Sequence, residues 1–185
     1  SLDDWRAVAR RIYEIRRGVG KGDLGLNNDY RGLVHVASRR QVEMLRAMIP
    51  YDDSHLWLFH TNERGKSRTD LFNAFRRMES SPWLVSSSAD EGEDFPYEGC
   101  RVNIIAKIKY PDLGSLLVAA RRESGPIGKE WFEAKSVASV VQAAGRAMRR
   151  EDDWGLTYVL DSNVKRLLRK DYLWPRWAKE AVVSR

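Results

Sequence analysis

The sequence predicts an α/β fold built around a mostly parallel sheet, because strand-like and helix-like segments alternate along the chain. Short apolar runs bounded by polar or turn-forming residues are typical of buried strands: GLVHVA, HLWLFH, WLVSSS, VNIIAKIK and LTYVL. Longer stretches with helical spacing lie between them: RRQVEMLRAMI, SRTDLFNAFRRM, LGSLLVAARR and FEAKSVASVVQAAGRAMRR. Helices that connect successive strands favour parallel pairing. In such sheets ligands bind beyond the carboxyl ends of the strands, so functional residues are expected in the loops that follow them.

The length of 185 residues fits one globular domain that buries most of its apolar surface. Apolar residues recur with helical spacing over 3–17, and the glycine-rich run GVGKGDLGLNND after them predicts a loop. We interpret residues 1–31 as a lead-in helix and loop, and residues 32–185 as the single structural domain. The run WPRWAKEAVV predicts a last helix with Pro175 in its first turn.

The charge balance mildly favours a polyanionic partner, since 32 lysines and arginines face 26 acids for a net charge of +6. The single cysteine, Cys100, excludes an internal disulfide, a CxxC zinc site and an iron–sulfur cluster ligated within this segment alone. It also favours a reducing, cytoplasmic compartment. No apolar run approaches the roughly 20 residues that cross a bilayer, so no membrane contact is expected. The three histidines lack metal-site spacing, and no metal ligand is predicted.

One informative stretch is LVSSSADEGEDFP, residues 84–96, where three serines and then four acids around Gly92 follow a predicted strand. Three interpretations of the acids are open. They bind a divalent cation, they hydrogen-bond ribose hydroxyls or orient a water, or they form an ordinary solvated turn, which is the commonest meaning of a charge run.

The second informative stretch is VQAAGRAMRREDDWG, residues 141–155. Gln142, Arg146 and Arg149 have the spacing i, i+4 and i+7, which predicts one helical face that is either solvated or an anion site. Gly145 costs about 1 kcal/mol relative to alanine within a helix, so close approach by another backbone or a ligand is a plausible reason for it. Guanidinium groups suit phosphate oxygens, and an arginine beside a γ-phosphate stabilises transition-state charge.

The run HTNERGKS resembles a phosphate-binding P-loop, since it follows a predicted strand and precedes a predicted helix. A P-loop needs glycine five positions before Gly65, and this chain has His60 there. We therefore favour a surface loop that opens a helix.

The order of the two informative stretches carries a resemblance to a known family. SSSADEGEDFP followed by VVQAAGRAMRREDDWG resembles motifs V and VI of superfamily 2 helicases, in the variant of the DinG-like and XPD-like family. GLVHVASRRQ is similar to motif IV, and GLTYVLDSNVKRL to the last strand, so the resemblance runs from about Gly32 to the C-terminus. It implies the RecA-like fold of a C-terminal motor domain. Glu93, at a position that is usually apolar, and Lys109, where proline is common, depart from the pattern.

Carried over by position, the resemblance implies that Gln142, Arg146 and Arg149 face ATP held by a partner domain. Arg149 would be the arginine finger and Arg146 its companion, with Gly145 as the glycine of the same motif.

For the acidic loop, the resemblance implies that Gly92 and Asp94 flank the nucleotide and that Glu91 braces the loop. It implies contacts with the backbone of single-stranded DNA for Ser38, Ser87 and Ser88, and more weakly for Arg64 and Lys66.

The family hydrolyses ATP between two RecA-like domains, and the resemblance assigns this chain to the second. ATP is then the expected cofactor, with Mg supplied by the first RecA-like domain of the same full-length chain, and any iron–sulfur cluster lies outside this segment. The P-loop and the acidic motif of the first domain are absent from this sequence, so the segment alone is expected not to hydrolyse ATP. The alternative function is a non-catalytic module that binds nucleic acid or protein through a helicase-like fold.

Overall fold

The computed structural model describes residues 2–18, 30–61, 67–89, 95, 99–147 and 152–182. Within them, five strands alternate with α-helices. The strands are β1 (Gly32–His35), β2 (Trp57–Phe59), β3 (Trp83–Ser86), β4 (Val102–Ile105) and β5 (Leu156–Val159). The helices are α1 (Leu2–Arg16), α2 (Arg39–Met48), α3 (Arg68–Arg77), α4 (Leu116–Glu123), α5 (Pro126–Ala144), α6 (Asn163–Leu168) and α7 (Arg176–Glu180). Short 3-10 helices cover Tyr51–Leu56, Gly145–Ala147 and Asp171–Leu173.

The five strands form one sheet in the order β2-β3-β1-β4-β5, and each described pair of neighbours is parallel. The prediction of a mostly parallel sheet flanked by helices is therefore confirmed. β1 is central, with Val34 beside Val85 of β3 on one side and Ile104 of β4 on the other. Helix α2, which follows β1, and α5, the longer helix after β4, pack on opposite faces, and the strand order reverses between β1 and β4. In open α/β sheets this is the place where ligands bind.

The helices α1 and α2 cover one face of the sheet. Val34, Val85 and Ile104 point toward this face because alternate residues of a strand face opposite sides. They pack against residues of both helices: Ala9, Ile12, Ile15, Val42 and Leu45. Each buried side chain of this size contributes roughly 1.5–3 kcal/mol to stability. The predicted lead-in helix α1 thus shares a core with the sheet.

The opposite face is covered by α3 on one half and by α5, α6 and α7 on the other. Leu33 and Leu84 contact the aromatic residues of α3, Phe72 and Phe75. Across the reversal point, Ile105 packs with Val137 and Val140 of α5 and with the C-terminal helices.

Two elements differ from the predicted pattern. The apolar run HLWLFH forms only the three-residue edge strand β2, because a 3-10 helix takes up the residues before Trp57. The helix predicted to reach residue 150 is wrong in extent: α5 begins earlier, with Pro126 at its first turn, and ends at Ala144. No described helix is long and apolar enough to span a membrane.

Candidate functional site

The C-terminal end of α5 is fixed to the sheet by a buried amide. Asn103, in the middle of β4, donates a hydrogen bond from Nδ2 to the carbonyl oxygen of Ala143 at 2.7 Å and lies 3.4 Å from Oγ1 of Thr157. The last carbonyl groups of a helix have no partner within the helix, so this donor satisfies one of them. The backbone that carries Gln142, Gly145 and Arg146 is therefore held against β4 and β5.

The predicted continuous stripe of polar side chains is wrong for the residues that the structure describes. After Ala144 the chain tightens into a 3-10 turn, so the spacing i, i+4 and i+7 no longer marks one helical face. Gln142 is exposed, whereas Arg146 is 9% exposed. Arg149 lies outside the described residues, and its role as a finger stays a prediction.

Gly145 is the C-terminal cap of α5, and its N–H donates to the carbonyl groups of Val141 and Ala143. A Cβ atom built on it meets no atom of the described residues within 4 Å. Packing among the described residues therefore does not require glycine here. Approach by a ligand or a second domain stays a prediction.

Beyond the segment that carries Arg149, the chain is fixed again by a buried ion pair. Nη1 of Arg101 lies 2.5 Å from Oδ1 of Asp153 and also donates to the carbonyl oxygen of Trp154 at 2.6 Å. The Arg101 guanidinium stacks over the Trp154 ring at 4.7 Å. Residues 148–151 are thus bounded by buried Arg146 and buried Asp153. Sequence reasoning missed Arg101, although a charged residue directly before an apolar strand was a signal.

A second polar cluster lies at the carboxyl ends of β2 and β3. Nδ1 of His60 lies 3.0 Å from Oγ of Ser86 and 3.2 Å from Oγ of Ser88, and Ser86 Oγ accepts the N–H of Ser88 at 3.1 Å. Burial, and then the positive charges of Arg39 and Arg68, lower the pKa of His60 from its ordinary value. The ring is therefore neutral at neutral pH and ties the loop after β3 to the end of β2. The sequence drew attention to His60 as a missing P-loop glycine and as a histidine without metal-site spacing, but not as a partner of the serines.

The acidic run, residues 90–94, is flanked by two buried residues. Ala89 is fully buried before it, and Phe95 after it is 1% exposed. The Phe95 ring stacks on Phe72 at 5.7 Å and meets Phe75 edge-on at 5.3 Å. Ala89 and Phe95 thus both belong to the core cluster on the α3 side of the sheet. Three predicted nucleotide contacts lie between them, outside the described residues: Glu91, Gly92 and Asp94.

The predicted contacts with single-stranded DNA that the structure describes come after two adjacent β-strands. Ser38 comes after β1 and is exposed, and its hydroxyl makes no capping bond to α2. Ser87 and Ser88 come after β3 and are half-buried. Because β1 and β3 are parallel neighbours, the three hydroxyls lie at one edge of the sheet. Arg64 and Lys66 lie outside the described residues.

The P-loop-like run ends in a helix cap. Oγ of Ser67 accepts the N–H of Asp70 at 3.1 Å, and the Asp70 carboxylate accepts the Ser67 N–H at 3.3 Å. This reciprocal pair opens α3, as expected for a surface loop that leads into a helix.

Lys109 connects the loop after β3 with α5. Its Nζ donates to the carbonyl oxygen of Ser87 at 3.4 Å, and its own carbonyl oxygen accepts Oγ–H of Ser139 at 2.9 Å. With His35 and Lys107, Lys109 and Ser139 line a small cleft at the point where the strand order reverses. The departure from the proline that is common in the family thus introduces a contact between the two motif regions.

In the described part of the chain, no group of three or more His, Cys, Asp or Glu residues could hold a metal ion. Burial raises the pKa of the Cys100 thiol to about 12, so the side chain stays protonated.

The sheet, its flanking helices and the two motif regions define the class of the protein: it has the fold of helicase motor domains. An XPD structure without ligand has a TM-score of 0.68 at 19% identity, over 94% of this chain and 35% of that chain. The second domain of the DEAD-box helicase Mss116p, bound to an RNA duplex, has a TM-score of 0.58 at 14% identity, over 100% and 58%. The C-terminal domain of the DEAD-box protein Dbp5 has a TM-score of 0.54 at 16% identity, over 93% and 79%.

Sequence comparison gives the family itself. The family model described as the helicase C-terminal domain matches residues 26–180, and the chain belongs to that family. A Fanconi anemia group J protein homolog of Gallus gallus is 29% identical over an alignment of 91 residues that covers 44% of this chain and 7% of that protein. The chain therefore spans a small part of this relative. The expected C-terminal helicase motor domain is confirmed.

Proposed function

We propose that this domain is the second motor half of an ATP-dependent helicase that moves along single-stranded DNA. One observation carries the proposal: both motif segments are bounded by buried anchors, at Ala89 and Phe95 for one and at Arg146 and Asp153 for the other. A segment fixed at both ends on a rigid core can present side chains to a second domain with little loss of entropy on binding.

In this proposal, Arg149 is the finger that meets the phosphates of ATP held by the first RecA-like domain, and Arg146, at the buried start of the same segment, is its companion. Guanidinium and amide donors fit phosphate oxygens, so the side chains of Gln142 and the two arginines suit the group. ATP, with the Mg bound by the first domain, supplies the free energy of hydrolysis. The residues of this chain orient the phosphates and stabilise the developing negative charge.

The single-stranded DNA would run along the edge formed by the carboxyl ends of the β-strands, past Ser38, Ser87 and Ser88. Hydroxyl groups bind phosphate and sugar oxygens regardless of base, which suits a motor that moves along any sequence. His60 holds Ser88 in place, and Lys109 connects this edge to α5. In this proposal, ATP binding at one motif changes the affinity for single-stranded DNA at the other through these contacts.

The test is strand-stimulated ATP turnover of the longer chain in which this domain follows the first motor domain. Arg149→Ala and Arg149→Lys are expected to lower turnover by on the order of 10³ or more, while the affinity for a labelled oligonucleotide changes far less. Arg150→Ala, the neighbouring arginine outside the motif pattern, is the matched control and should retain turnover.

Two results would contradict the proposal. If the parent chain shows no strand-stimulated turnover, or if both Arg149 variants match it, the arginines are structural. A non-catalytic binding module is then the better description of this domain.

A further inference from the structure

Residues 162–182, called here the α6–α7 unit, form a concentrated basic surface that the motor function leaves unused. They contain six lysines and arginines against two acids, whereas the chain as a whole has 32 against 26. Two aromatic side chains are exposed on the same unit, Tyr172 at 66% and Trp177 at 46%. Exposed rings beside positive charge are the components of a stacking site for single-stranded nucleic acid.

The unit is rigid. Leu167, Trp174 and Ala178 are buried against α5, and the Trp174 indole N–H donates to the Leu167 carbonyl oxygen at 3.0 Å. From α5, Glu133 accepts hydrogen bonds from Arg166 and Lys170. These contacts fix α6 and the following turn, so the outward-facing side chains are held in place before any ligand arrives.

The outward face of α6 carries positive charge that no other group of the described residues neutralises. Lys165 and Arg169 are four residues apart, on the side of the helix opposite buried Leu167, and both are exposed. Neither forms an ion pair with a residue that the structure describes. In contrast, Lys179 pairs with Asp171 at 3.0 Å. The two unpaired cations suit the phosphates of a polyanion.

The unit adjoins the edge of the sheet where the proposed contacts with single-stranded DNA lie. Asp161, directly after β5, accepts the N–H of Asn163 at 3.0 Å and of Ile108 at 3.2 Å, and pairs with Lys107 at 3.0 Å. These bonds join the exits of β4 and β5 to the start of α6. From β3 to β5 there are three strand spacings, or about 14 Å. A short single strand lying on the serines can therefore extend to the α6–α7 unit.

We propose that the α6–α7 unit is a second contact surface for single-stranded nucleic acid, continuous with the serine edge. Tyr172 and Trp177 stack on bases, while Lys165 and Arg169 bind phosphates. The inference rests on the proposed function, because it extends the path proposed there for the strand.

The test is the affinity of the 185-residue chain for labelled oligo-dT and oligo-U of increasing length, measured by fluorescence anisotropy over a series of salt concentrations. Trp177→Ala and Tyr172→Ala are each expected to weaken binding by about fivefold or more without changing the salt dependence. Lys165→Ala combined with Arg169→Ala should reduce the slope of log affinity against log salt by about 1.4, since each phosphate contact contributes roughly 0.7.

Three controls separate binding from folding. Trp177→Phe and Tyr172→Phe keep a ring and should retain most of the affinity. Leu116→Ala with Leu117→Ala removes exposed apolar side chains from α4 and should leave binding unchanged. The thermal unfolding midpoint of each variant shows whether the fold survives. Comparison of the affinities for oligo-dT and oligo-U shows whether the surface prefers DNA or RNA.

The outcomes distinguish this inference from the proposed function. If the α6–α7 variants bind like the parent while Ser38→Ala, Ser87→Ala and Ser88→Ala bind more weakly, the second surface is excluded and the path along the sheet stands. If the parent binds neither oligonucleotide, the path along the sheet fails and the second surface fails with it. If only the lysine and arginine variant has an effect, the surface attracts polyanions without stacking, which also overturns the inference.

Discussion

The segment after β3 and the segment after α5 both carry motif residues between buried ends, but different forces hold those ends. After β3, the anchors are uncharged: the Phe95 ring among other rings, and the neutral His60 between two serine hydroxyls. After α5, the far anchor is the ion pair of Arg101 with Asp153, backed by the Trp154 ring. Loss of one partner should therefore cost more at the second segment than at the first, because it leaves a buried charge alone.

The largest effect is expected from Asp153→Ala. The substitution leaves the Arg101 guanidinium buried without its carboxylate, so the free energy of unfolding should fall by about 3–5 kcal/mol in urea denaturation. Asp171→Ala breaks an exposed ion pair with Lys179 and should cost under about 1 kcal/mol. If the two variants lose the same stability, the charged anchor is not what holds the segment after α5. Arg101→Met combined with Asp153→Leu should recover most of the loss.

A smaller effect is expected from Phe95→Leu, which keeps an apolar side chain but removes two aromatic pairs. Such pairs contribute about 0.5–1.5 kcal/mol each beyond burial, so unfolding should become easier by roughly 1–3 kcal/mol. The loss should be the same in low and high salt. A loss that shrinks with added salt would mean that the nearby Arg76 guanidinium, 5.3 Å from the ring centre, dominates the anchor.

The smallest effect concerns pH and His60. Because the folded pKa of His60 is lowered below about 6.5, the unfolded chain binds more protons as the pH falls through that region, and stability falls with it. His60→Asn retains an amide for the serine hydroxyls but cannot titrate. The stability difference between the parent and His60→Asn should therefore narrow between pH 7 and pH 5. His55→Asn, the same change at an exposed position, is the control, and a constant difference would contradict the assignment.

Much of the fold follows from local patterns, because strands and helices of this sheet have distinct spacing of apolar residues. The end of α5 does not, since GRAMRR continues a helical pattern, whereas the amide that fixes Ala143 to the sheet as the helix stops belongs to Asn103, 40 residues away in the chain. The residues that anchor the two motif segments were missed for the same reason, because their contacts join residues far apart in the sequence. His60 meets Ser86 across 26 residues and Arg101 meets Asp153 across 52, and no periodicity reports such pairs. The motif residues were predictable because their spacing is local, but what holds them is not.

The position of β1 at the centre of the sheet has a consequence for how the chain is made. Val34 pairs with Val85 and with Ile104, so β1 finds its two neighbours 51 and 70 residues later in the sequence. At 5–20 residues per second, a ribosome needs about 4–14 s to pass from Val34 to Ile104. During that time the apolar strand GLVHVA has unpaired backbone groups on at least one side. High contact order slows folding, so this early strand is the part of the nascent chain most in need of protection from aggregation.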